Sequence, residues 1–135
     1  MAISNLQETL LMYTKYKSSM NKQLASIQMN MISATKKVTD TQMKYNNYQQ
    51  ELYSKYEPDE MLDEKSEYIV LMAQMENELE FELQNIKSWE EQLELDKLNC
   101  EARIAEITTH ETTVKTMLKN NLKTDFTYGG VGQGS

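Results

Sequence analysis

From Leu6 onward the chain repeats every seven residues. Steps of four and three pick out Leu6, Leu10, Tyr13, Lys17, Met20, Leu24, Ile27, Met31, Ala34, Val38, Thr41, Tyr45, Tyr48, Leu52 and Lys55. Only Lys17, Thr41 and Lys55 depart from apolar or aromatic character. A 3.5-residue spacing kept up over about seven heptads predicts one long helix with a single apolar seam. Such a seam has to be covered by another helix. Strand alternation, with its period of two, does not compete over this length.

The repeat stops at Tyr56-Glu57-Pro58-Asp59-Glu60, which holds the only proline. The residue before a proline avoids the α region, and proline suits the first turn of a new helix. A second helical pattern follows: Tyr68, Met72, Met75, Leu79, Leu83, Ile86, Trp89, Leu93, Lys97, Cys100, Ile104, Ile107, Val114, Leu118 and Leu122. Its steps are irregular at 79, 83 and 86, as in a stutter. The expectation is an all-α fold in which two long helices form an antiparallel coiled-coil hairpin. Helix 1 covers 5–56, the turn 56–60 and helix 2 59–123, so that 1–123 is one helical unit. All four glycines lie in the last seven residues, and 124–135 is expected to be a flexible Gly-rich tail.

Folding the chain back at Pro58 suggests a register in which facing residue numbers add to about 117. It pairs Leu10 with Ile107, Tyr13 with Ile104, Leu24 with Leu93 and Tyr45 with Met72. Charges fit the same scheme. Residues 1–57 carry +3 and residues 58–135 carry −10, within a total of −7. Lys22 then falls near Glu94, Lys15 near Glu101, and Lys36 and Lys37 near Glu78, Glu80 and Glu82. Trp89 is expected to anchor the seam.

A two-helix seam leaves apolar side chains over. Leu11, Met29, Ile32, Met43 and Tyr53 lie off it on helix 1, and Phe81 and Leu95 on helix 2. Met117, Leu122 and Phe126 extend beyond the partner helix in that register. Monomers seldom leave large contiguous apolar patches bare, so these ten residues are the expected interaction surface. The expected partner is a second copy or another helical protein. Nucleic acid is an improbable partner, because phosphate repels so acidic a chain.

Reactive constellations are absent from the sequence. Cys100 and His110 are ten residues apart on one helix, about 15 Å along its axis, too far for a dyad. A di-metal bundle wants Glu-x-x-His on two helices, whereas Glu106 and His110 are four apart and His110 is the single histidine. Asp59-Glu60 and Asp63-Glu64 lack the alternating oxygens and central glycine of a calcium loop. The terminal glycines form no phosphate-binding motif. No cofactor or metal is expected, and the chain is read as non-enzymatic.

The lone cysteine rules out an intramolecular disulfide framework, and no apolar run reaches the length of a membrane span. Met1 to Leu6 show no secretory signal. The expected location is the cytoplasm, or outside the cell by a route that cleaves no signal. Small secreted helical hairpins share the expected shape, but their Trp-x-Gly turn has no counterpart, since Trp89-Glu90-Glu91 lies within helix 2. The leading expectation is a structural or assembly protein, such as a bacterial secretion-apparatus or secreted helical component. The alternative is a cytosolic adaptor, chaperone or export-stalk-like hairpin.

Overall fold

A computed structural model describes residues 3–134, with side chains described over 3–124. The element order is α1 (Ile3–Lys55), α2 (Pro58–Leu62) and α3 (Glu67–Gly134). The two long helices α1 and α3 pack against each other as an antiparallel all-α hairpin. The backbone of α3 is helical past the end expected at Lys123. The side chains of 125–135, and with them the expectation of a flexible tail, lie outside the described residues.

The heptad seam of α1 is the buried face. Leu6, Ala34, Thr41, Tyr45 and Leu52 are buried. Between them Leu10, Tyr13, Lys17, Met20, Leu24, Ile27, Met31 and Val38 are half-buried. Tyr48 and Lys55 are exposed, so the seam ends just short of the helix. On α3 the buried core residues are Met75, Ile86, Leu93, Cys100 and Val114. Each fully covered aliphatic side chain of this size contributes about 1.5–3 kcal/mol.

The two columns of the α3 seam behave differently. One keeps a strict repeat of seven through Met72, Leu79, Ile86, Leu93, Cys100, Ile107 and Val114, none of them exposed. The other runs Tyr68, Met75, Glu82 and then Glu90, Lys97, Ile104, Glu111 and Leu118. Its step from Glu82 to Glu90 is eight residues, so the irregularity expected at 79–86 falls later. Trp89 is the residue passed over. It is 37% exposed and does not anchor the core.

The connection is longer than the expected turn over 56–60. Glu57 is extended, with φ −75° and ψ 152°, as the residue before a proline prefers. Pro58 opens α2, where the amides of Glu60 and Met61 donate to the Glu57 carbonyl at 3.0 and 3.2 Å. Asp63, extended at φ −85° and ψ 117°, ends that turn. Its Oδ1 accepts from the Lys65 amide at 3.0 Å, and its carbonyl accepts from the Ser66 amide at 3.0 Å. Ser66 then caps α3, with its Oγ accepting from the Ile69 amide at 3.3 Å. The second long helix therefore starts at Glu67, not near residue 59.

The register shifts with the connection. Tyr13 stacks on His110, and Tyr56 meets Tyr68. Facing residue numbers thus add to about 124, one heptad beyond the expected 117. The pairings of Leu10 with Ile107, Tyr13 with Ile104, Leu24 with Leu93 and Tyr45 with Met72 are replaced accordingly. The α1 seam and the strict column of α3 recur every seven residues, so they match again after a shift of one heptad.

Candidate interaction surface

The chain divides into two compact units, one formed by Met1–Ile27 with Asp96–Ser135 and the other by Gln28–Leu95. In the second unit, Met29, Ile32, Met43 and Tyr53 are exposed on α1 and Phe81 and Leu95 on α3. Ile32 and Met29 are the barest of these, at 70% and 69%. They follow from heptad arithmetic. Residues 29, 32, 43 and 53 lie on the strip opposite the seam, which Lys36 and Thr39 interrupt. Leu62 on α2, which also lies off the seam, is exposed as well, and so is Val70, which the off-seam pattern did not single out.

A cleft of about 560 Å³ in this unit has Lys37 and Lys44 on one side and Glu82 and Trp89 on the other. Lys44 Nζ lies 3.7 Å from Glu82 Oε1 and 5.2 Å from the centre of the Tyr45 ring. Tyr45 is buried in the seam. Burial raises its phenol pKa above the ordinary value of 10.0, and the neighbouring Glu82 carboxylate, which accepts its hydrogen bond, raises it further. At the connection, burial and then Glu67 raise the Tyr56 phenol in the same way. The Tyr56 and Tyr68 rings are 5.6 Å apart and tilted by 57°.

In the first unit, Leu11, Met117 and Leu122 are exposed. Leu11 joins Met12 and Tyr16 along an open apolar notch on α1, edged by Glu8 and Lys15. Phe126 lies outside the described side chains. The ten residues expected to meet a partner therefore split between the units: six in one, three in the other and Phe126 undescribed.

The first unit also holds a polar cluster in its seam. Glu111 is buried, and its carboxylate takes Lys115 Nζ at 3.4 Å, Lys17 Nζ at 3.7 Å and the Thr14 hydroxyl at 3.3 Å. Burial alone pushes this carboxyl up. The Lys115 and Lys17 ammoniums and the Thr14 hydroxyl outweigh it and bring the pKa below its ordinary 4.5. Sequence reasoning missed Glu111 because it sought apolar residues. The signal was there, since residue 111 fills the place between Ile107 and Val114.

Ion pairs across the helices among the described residues include Lys17 with Glu111 and Lys44 with Glu82. They stand where Lys22 with Glu94, Lys15 with Glu101, and Lys36 and Lys37 with Glu78, Glu80 and Glu82 were expected. The exposed Lys44 pair is worth only about 0.2–1 kcal/mol.

Cys100 is buried, and its thiol donates to the Met20 carbonyl at 3.2 Å. His110 stacks on Tyr13 at 5.5 Å and 15°, with Nε2 3.7 Å from Glu106 Oε1. Neither is placed to activate the other. Among the described residues no group of three His, Cys, Asp or Glu is set to hold a metal, and no helix is long and apolar enough to cross a membrane. What the surface offers is contact area with charged borders. Compared with known protein families, with curated proteins and with solved structures, the chain finds no match.

Proposed function

We propose that this chain is a non-enzymatic structural or assembly component, a helical hairpin that joins copies of itself or docks on a helical partner. The observation that carries the reading is the exposure of Met29, Ile32, Met43, Tyr53 and Phe81 on faces the hairpin seam leaves uncovered. Burying such side chains stabilises an association by the apolar area removed from water. Tyrosine and methionine suit the task, the first as a rigid amphipathic anchor and the second as an adaptable filler. A component of a bacterial secretion apparatus, or a helical protein exported without signal cleavage, has this chemistry. A cytoplasmic component has it equally.

Light scattering over a wide concentration range tests self-association. The expected result is a mass that rises above the 15.8 kDa of one chain. The double variant Met29→Glu/Ile32→Glu should then return toward one chain, with unchanged helix content. A mass that stays at one chain at every concentration would overturn self-association.

A further inference from the structure

We propose that Lys17 and Glu111 form a register lock, which selects one of two heptad-related pairings of α1 with α3 that the apolar seam cannot tell apart. The α1 seam and the strict column of α3 repeat every seven residues, so a slide of one heptad returns their knobs to like holes, the eight-residue step of the second α3 column apart. The charged residues break the degeneracy. In the observed pairing Lys17 Nζ is 3.7 Å from Glu111 Oε1, with Thr14 and Lys115 completing the carboxylate's partners. The Lys17 side chain is 33% exposed and that of Glu111 10%, so the carboxylate is the more shielded of the two.

Slide the helices by one heptad and both lose their partners. Lys17 then falls opposite Ile104, and Glu111 falls opposite Leu10, both half-buried apolar side chains. A charge stripped of its partner in a covered seam is costly, and a lone polar position in a coiled-coil seam commonly fixes register for this reason. The pair thus acts mainly against the wrong structure and adds little to the right one.

Cys100 supplies a reporter, because its thiol donates to the Met20 carbonyl and so marks the observed register. Two single-cysteine variants, Met20→Cys and Tyr13→Cys, would be oxidised at low concentration and scored for intrachain disulfides with Cys100. On the otherwise native chain only Met20→Cys should cross-link. With Lys17→Leu/Glu111→Leu added, Tyr13→Cys should also cross-link, at a rate within about tenfold of Met20→Cys. Lys17→Arg with Glu111 in place, which keeps the cation and its partner, should keep the single pattern.

The idea is overturned if Tyr13→Cys stays unlinked in the Lys17→Leu/Glu111→Leu chain while Met20→Cys still links. The Ser66 cap and the connection would then set the register by themselves. Should Lys17→Leu/Glu111→Leu lose its helical signal, Lys17→Leu/Glu111→Gln, which also removes both charges, carries the same comparison, and an unlinked Tyr13→Cys there also counts against the lock.

Discussion

Lys17 Nζ lies 3.7 Å from Glu111 Oε1, a cation and a carboxylate meeting in a seam whose other positions are mostly apolar. Lys17 looked like an interruption of its own helix, and Glu111 went unnoticed in the other. Placed together they explain each other, and they carry the first prediction.

The carboxyl of Glu111 is held below its ordinary 4.5, so folding favours its ionised form. The stability it contributes is present above that value and is lost as pH falls through the depressed folded pKa. Lys17 and Thr14 face it from α1, and Lys115 from α3, with His110 next to it in the chain and stacked on Tyr13. Glu111→Gln should therefore destabilise the protein at neutral pH, and much less once pH has fallen below the depressed folded pKa. Urea melts at pH 7 and at pH 3 check this. An equal effect at both would mean that the charge contributes nothing.

The phenol of Tyr45 gives the opposite sign. Its pKa is raised above 10.0, so its share of stability is complete below that value and is lost as pH rises past it. Tyr45→Phe should flatten the alkaline loss of helical signal relative to the native chain. Melts between neutral pH and pH 11 measure the difference.

Burial ranks the core substitutions. Leu93→Ala and Ile86→Ala remove side chains that are 5% and 4% exposed, and each should cost about 2–5 kcal/mol. Trp89→Ala should cost clearly less, despite the larger ring, because Trp89 lies outside the displaced column and borders a cleft. Urea midpoints of the three variants decide the order. A Trp89→Ala cost at or above the other two would return Trp89 to the core.

Ser66 caps α3 through its hydroxyl. Ser66→Ala should cost about 1 kcal/mol, and Ser66→Asp should retain most of the stability. Amide exchange at Ile69 offers a local check, because that amide loses its acceptor in the alanine variant.

The seam of α1 was legible from Leu6 to Leu52, with Tyr48 the one position in that span that proved exposed, because seven heptads overdetermine one face of a helix. Thr41 and Lys17 belonged there although neither is apolar. On α3 the strict column through Leu79, Ile86, Leu93 and Cys100 was equally plain. Its companion was not, because Glu82, Glu90 and Glu111 hide a seam position behind a charge. Register escaped for a deeper reason: a repeat of seven looks the same after a shift of seven. Pro58 drew attention to the first break, while the local hydrogen bonds of Asp63 and Ser66, which place the start of α3, left a fainter mark. The exposure of Met29, Ile32, Met43, Tyr53 and Phe81 followed from their distance off the seam. A partner's identity has no such periodic signature.

The most direct test of the hairpin and its register uses the native chain. Carbodiimide joins lysines to carboxylates that touch, and mass spectrometry on a mixture of labelled and unlabelled protein separates intrachain from interchain links. The expected intrachain products join Lys17 to Glu111 and Lys44 to Glu82, which lie 3.7 Å apart in each case. Intrachain products joining Lys22 to Glu94 and Lys15 to Glu101 instead would place the helices one heptad away and contradict the register described here.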